Sequence, residues 1–204
     1  MRLNWLGRAA MNSPARALAQ SYVASRFERL GGRVEAGRVL EIGCGGGAGV
    51  RLIIERFGAA EVQAIDMDSS MIDRARFRLS SYPHSRVHLS VGDARSLEAG
   101  DQTFDAVFDF GAIHLEPQWA QAVAEIARVL KPGGRYYFEL VTSRALRLSY
   151  PLFTEAFASM PPPRSQLFVT ELERNGIVVV RYVRPRLAAL TGWVGDLIGV
   201  GRRV

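Results

Sequence analysis

The chain of 204 residues has one cysteine, Cys44, and one lysine, Lys131. A lone cysteine excludes an intrachain disulfide and a cysteine-rich zinc site. No run approaches the ~18–20 uninterrupted apolar residues that a membrane-spanning helix needs. The start of the chain has Arg2 and no long apolar core ahead of a small-residue cleavage site, so no signal peptide is read and a cytoplasmic location is the default expectation. Internal repeats and low-complexity segments are also missing, with Pro161-Pro162-Pro163 the nearest approach. The length suits one α/β domain with a sizeable core and is too short for two. Apolar residues at 48% and charged residues at 23% are ordinary for a globular protein.

Charge is unevenly spread. Residues 1–38 carry +5, residues 39–143 carry −4 and residues 144–204 carry +5. Basic ends around an acidic middle fit anionic partners near whatever the ends form. The alternative is a plain coding preference, because all basic residues but Lys131 are arginine.

Asn12-Ser13-Pro14 is a helix start, a polar cap before proline at the first helical position. Leu18, Tyr22, Val23, Phe27 and Leu30 follow at helical spacing until Gly31-Gly32. From Arg38 onward, strand and helix patterns alternate. Strands are predicted at Val39–Ile42, Glu61–Ile65, Arg86–Val91, Phe104–Phe110 and Arg135–Val141. Helices are predicted at Val50–Phe57, from about Ser69 to Leu79, and within Pro117–Leu130, which Lys131-Pro132-Gly133-Gly134 breaks. This rhythm specifies βαβ units and an α/β sheet, mainly parallel, with helices on both faces. Gln166–Asn175 reads as helix and Ile177–Val183 as β-rich. The segment around Trp193–Val200 fits a strand or an amphipathic surface helix; its three glycines at 195, 199 and 201 favour the strand.

Val39-Leu40-Glu41-Ile42-Gly43-Cys44-Gly45-Gly46-Gly47 is a strand running into a glycine loop and then a helix. Ligands of such sheets bind beyond the carboxyl ends of the strands, where glycine lets a cofactor approach the backbone. Asp66 ends the second strand about 20 residues on, placed to accept from both hydroxyls of a ribose. At this level NAD and S-adenosylmethionine are equal candidates.

Three segments carry a resemblance. Glu41-Ile42-Gly43-Cys44-Gly45-Gly46-Gly47, Gly92-Asp93-Ala94, and Glu125-Ile126-Ala127-Arg128-Val129-Leu130-Lys131-Pro132-Gly133-Gly134 stand in order and at spacing. Together they resemble the motifs of class I, Rossmann-like, S-adenosylmethionine-dependent methyltransferases. The resemblance covers about residues 34–142, and its branch is that of the ubiquinone- and menaquinone-type small-molecule enzymes. It implies a doubly wound sheet closed by one antiparallel C-terminal strand, here Trp193 to Arg202. Residues 1–204 are then one domain, divided into an N-terminal helical cap (1–33), a cofactor-binding core (34–142) and an acceptor-side segment with closing strands (143–204). The implied cofactor is S-adenosylmethionine, leaving as S-adenosylhomocysteine, with no metal.

Residue by residue, the resemblance implies that the glycine loop (Gly43, Cys44, Gly45, Gly47) meets the methionine moiety, with Glu41 organising its amino group. Asp66 binds the ribose, Met67 packs on the adenine, Asp93 accepts from the adenine amino group and Ala94 adds a backbone contact. Asp109 counts with this set and opens the acceptor side. Asp68 reads as a helix cap rather than a ligand. His114 is the one candidate for catalysis, as a general base, a substrate contact or a plain loop residue. Tyr22 and Tyr150 are candidate acceptor contacts.

The Asp/Asn-Pro-Pro-Tyr/Phe motif of nucleic-acid amino methylation is missing after the fourth strand, as is a cysteine for cytosine carbon-5 attack. The paired-glutamate loop of arginine methyltransferases and a catechol-type magnesium site are also unrecognisable. The basic, amphipathic stretch Ser143–Arg164, with Leu146, Leu148, Tyr150, Phe153 and Phe157, suits an apolar pocket lid. The expected acceptor is therefore a small apolar or amphiphilic molecule, lipid-, quinone- or fatty-acid-like, with peripheral membrane contact in keeping. Two other readings stay open: an RNA or protein methyltransferase using the basic ends, and a cofactor-binding regulator without turnover.

Overall fold

The computed structural model describes residues 12–141, 164–185, 194–195 and 197–204. Helix α1 (Pro14–Gly31) starts as its sequence dictates: the Ser13 side chain accepts from the Arg16 amide at 3.2 Å, and Pro14 occupies the first helical turn. Then follow β1 (Arg38–Ile42), α2 (Ala48–Phe57), β2 (Glu61–Asp66), α3 (Ser69–Arg78), β3 (Val87–Val91) and β4 (Phe104–Asp109). A 3₁₀ turn (Ile113–Leu115) leads to α4 (Trp119–Val129), β5 (Leu130–Leu140), α5 (Ser165–Arg174), β6 (Ile177–Val183) and β7 (Leu197–Arg203). None of the described helices is long and apolar enough to cross a membrane.

The strands form one sheet in the order β3-β2-β1-β4-β5-β7-β6. Every pair from β3 to β5 is parallel. The predicted closing strand is β7, which lies antiparallel between β5 and β6. It spans Leu197–Arg203 rather than Trp193 to Arg202, and Trp193 lies outside the described residues.

One boundary differs from expectation for a physical reason. β5 begins at Leu130, directly after α4, because Leu130 already pairs with Phe104. The ladder then shifts across Lys131-Pro132-Gly133-Gly134 and resumes at Ala106 opposite Arg135. Proline cannot donate to a ladder, so it sits in the irregular stretch.

Alternation along the central strands divides the core between two faces. Val39, Val62, Ala106, Phe108 and Tyr137 pack under α1, α2 and α3. Leu40, Ile65, Val107, Tyr136 and Phe138 pack under α4 and α5. On the first face Phe108 stacks on Tyr137, with ring centroids 4.3 Å apart, and meets Phe57 edge-on at 4.8 Å. The Tyr137 hydroxyl lies 3.1 and 2.9 Å from the carbonyls of Gly31 and Gly32, which fixes the last turn of α1 against the sheet. That clamp holds the helix so that its other end reaches the carboxyl ends of the strands.

Phe108 is fully buried at the middle of this aromatic group. Phe108→Ala should cost about 3–5 kcal/mol, read as a lowered urea midpoint with unchanged slope.

Candidate active site

At the carboxyl ends of β1 and β2 the chain opens a cleft of about 1070 Å³, its open mouth included. Its floor is the loop after β1. Gly43 takes φ +66 and passes so close to Ala112 that a Cβ there would overlap the alanine methyl, whereas a Cβ on Gly45 would meet nothing within 4 Å. The loop holds itself by Gly47 N donating to Cys44 O at 2.9 Å, and Cys44 N donates across to Ile65 O at 3.0 Å. Helix α2 starts at its end, with Ala48 on the cleft wall. Positive helix ends of this kind favour anionic groups.

Asp66 projects from the end of β2 into the cleft wall. One carboxylate oxygen accepts from Gly45 N and the other from Asp68 N, both at 2.9 Å. Burial raises its pKa, and the two amides counter that. Glu41 lies beneath the loop, fully buried, and a Cβ on Gly49 would overlap its carboxyl group. Among the described residues neither Glu41 oxygen meets a hydrogen-bond donor. Burial, then the charges of Asp66 and Asp109, push its pKa well above the usual carboxylate range. An orphaned carboxyl beside an open glycine loop fits a cationic or donating ligand group.

The far wall is built by the end of β4 and by α1. Arg16, 9% exposed, lines the cleft from α1, donates through Nη2 to the Phe110 carbonyl, and stands 3.6 Å from Glu139 Oε2. Glu139, at the end of β5, also accepts from Gly195 N just ahead of β7. Apolar side chains line the rest of the cleft: Ile42, Ile65, Met67 and Met71 beside the glycine loop and Asp66, and Phe110, Ile113 and Leu115 on the far wall. Among the described residues no three His, Cys, Asp or Glu side chains come together as metal ligands.

Residues 39–134 match the methyltransferase domain family. Those residues form a methyltransferase domain. Over 128 residues it is 37% identical to the fatty-acid O-methyltransferase of Mycolicibacterium smegmatis, covering 63% of this chain and 44% of that protein. Over 99 residues it is 34% identical to phthiotriol/phenolphthiotriol dimycocerosates methyltransferase 1 of Mycobacterium ulcerans, covering 48% and 35%. The chain thus spans less than half the length of these curated relatives. In fold it is similar to a chain from the complex of the Haloferax volcanii Trm112 methyltransferase activator with a methyltransferase, with TM-score 0.75 and 19% identity, covering 99% of this chain and 98% of that one.

Within the methyltransferase domain, the structure brings Gly43, Cys44, Gly45, Asp66, Met67 and Ala94 together on the cleft lining. Gly47 sits one position behind it, as the cap of α2. Asp68 caps α3, accepting from Ser70 N at 2.9 Å. Besides Gly47, five expected site residues lie off the lining, Glu41 beneath the loop and four more, each for a local reason. Asp93 is held by Arg95, whose Nε and Nη2 approach its oxygens at 3.0 and 2.6 Å, and it faces a separate cavity. Asp109 is fully buried, accepting from Ala112 N and from the Tyr136 hydroxyl. Tyr22 packs against the core with Arg26 4.8 Å over its ring. His114 is 4% exposed, beside Gly111, with neither ring nitrogen hydrogen-bonded among the described residues. Tyr150 and nearly all of the predicted lid lie outside the described residues.

Sequence reasoning missed Arg16 and Glu139. Glu139 carried a signal, a lone charge inside the apolar strand Tyr136-Tyr137-Phe138-Glu139-Leu140. A charge there needs a partner. Arg16 looked like any of the surface arginines.

Burial, then the nearby charge of Arg16, lowers the His114 pKa to about 3. The unfolded chain therefore binds a proton below about pH 6.5 that the native ring refuses. That group's share of stability falls as pH drops from about 6.5 towards 3, by up to about 1.4 kcal/mol per unit. In urea melts at pH 7, 5.5 and 4, His114→Gln should lose less stability on acidification than the wild type.

Proposed function

We propose that the chain transfers a methyl group from S-adenosylmethionine to a small apolar or amphiphilic acceptor, releasing S-adenosylhomocysteine. The observation that carries this reading is the glycine loop with Asp66 beside it and the unpartnered Glu41 beneath it. The acceptor class is supported by the apolar far wall and by the fatty-acid and phthiotriol lipid names of the relatives.

The cofactor supplies an electrophilic sulfonium methyl, and the protein's task is mostly positioning. Asp66 suits the ribose hydroxyls, because an ionised carboxylate has about four acceptor sites and two amides fill only part of them. Met67 and the backbone at Gly92 and Ala94 offer the adenine an apolar slot. The open side of Gly45 leaves room for the methionine moiety, whose ammonium gives Glu41 the partner it lacks. Phe110, Ile113 and Leu115 exclude water where the acceptor approaches.

The purified chain should bind S-adenosylhomocysteine in the micromolar range, about −7 to −8 kcal/mol, and NAD much more weakly. Asp66→Ala should weaken this binding roughly 10- to 100-fold, as hydrogen bonds to a charged acceptor are lost. Preferential NAD binding would overturn the cofactor assignment. Labelled methyl should pass from S-adenosylmethionine into a lipid extract. Label in RNA or protein would instead move the acceptor to the basic ends, and binding with no transfer at all would make the chain a regulator.

A further inference from the structure

The edge strand β6 keeps apolar and basic side chains in the open together. Val178 is 45% exposed, and Val180 and Tyr182 are each 57% exposed. Arg181, within the strand, and Arg184, just past it, are exposed beside them. Neither β6 nor its neighbour β7 carries an acidic residue. In register, Val178 stands opposite Arg202 of β7, and Arg202 stands opposite Arg135 of β5. A like-charged pair directly across two strands is unfavourable on its own. Arg135 and Arg202 donate to the carbonyls of Gly31 and Gly133, which leaves both charges in place. The nearest acids before β6 in the chain are Glu171 and Glu173 of α5, and Arg174 answers Glu171 at 3.5 Å.

Charges and bulges on an edge strand commonly block pairing with other chains, and β6 has both, its register shifting between Val179 and Arg181. That role does not account for three large apolar side chains left in water on a strand of seven residues. The opposite edge, β3, has no arginine or lysine. A second copy of the chain would set arginine against arginine, so β6 does not suit a dimer edge. The sheet order places β6 on the side of β4 and the far wall of the cleft. Through Ile198 of β7, Val183 is level with Glu139, so Tyr182 and Arg184 lie at the cleft end of the sheet.

We propose that the β6 edge docks the protein on anionic lipid headgroups. Arginines meet the phosphates, while the valine and tyrosine side chains enter the interfacial layer that tyrosine favours. An unpaired strand edge cannot enter hydrocarbon, because its backbone groups need water or headgroup partners. The contact is therefore shallow and electrostatic. Its purpose, bringing the acceptor side of the cleft near lipid, rests on the methyl-transfer reading; the contact itself does not.

Sedimentation of the full chain with vesicles tests this. It should bind vesicles of equal phosphatidylglycerol and phosphatidylcholine, more weakly as salt rises, and not bind phosphatidylcholine alone. Arg181→Gln with Arg184→Gln should weaken binding about 25-fold, about fivefold per arginine. Arg51→Gln with Arg76→Gln removes the same charge from exposed ion pairs of α2 and α3 and should cost less than about twofold. Equal loss in both double variants would make the attraction one of net charge and overturn the proposal. Failure to bind the mixed vesicles, or equal binding to the neutral ones, would also overturn it. Polyglutamate bound by this edge in place of the vesicles would make the partner an acidic protein instead. Affinity for S-adenosylhomocysteine, by titration calorimetry, should be unchanged in both variants. Wild-type protein that bound vesicles but no S-adenosylhomocysteine would leave the docking edge standing and sink the methyl-transfer reading.

Discussion

Four carboxyl groups stand at the same edge of one parallel sheet, and much of the site follows from keeping them there. Glu41, Asp66, Asp109 and Glu139 end β1, β2, β4 and β5, and three of the four are fully buried or nearly so. Parallel strands deliver their carboxyl ends to one side by construction, so these charges gather whatever each strand does alone. Burial raises all four pKa values; Asp109 reaches about 7. Each group is then tolerated by a different device. Asp66 takes backbone amides, Asp109 takes amides and a tyrosine hydroxyl, and Glu139 takes an arginine and an amide. Glu41 alone has no donor among the described residues.

Side-chain alternation separates the roles further. Asp109 lies on the sheet face with Tyr136, whereas Glu139 lies on the face of Tyr137 and α1. Arg16 therefore answers Glu139 and reaches Glu41 through its field, while Asp109 is satisfied from the opposite side. Anchoring the far end of α1 on Tyr137 sets where that arginine falls. The aromatic stack of the core is thus upstream of the electrostatics of the cleft.

Most of this scaffold was legible in the sequence because βαβ periodicity and glycine stops are local signals. The glycine loop, Asp66 and the Asp68 cap are read from a few adjacent residues. What escaped depends on distant partners. Nothing near Arg16 in the chain announces Glu139. His114 stood as a base, a substrate contact or a plain loop residue, and the turn at Gly111 carries it inward. At Lys131-Pro132-Gly133-Gly134 turn chemistry was read correctly, but the pairing of Leu130 with Phe104 shows that the strand had already begun.

The position of β7 bears on the order in which the molecule is made. It follows β6 in the chain but lies between β6 and β5 in the sheet. During synthesis β6 leaves the ribosome with no neighbour to bond to, and β5 has a bare edge until residues 197–203 arrive. Until then β6 is a strand without a partner in the sheet. Glu139 spends that stage without Gly195, so the far wall of the cleft is finished only when the sheet is.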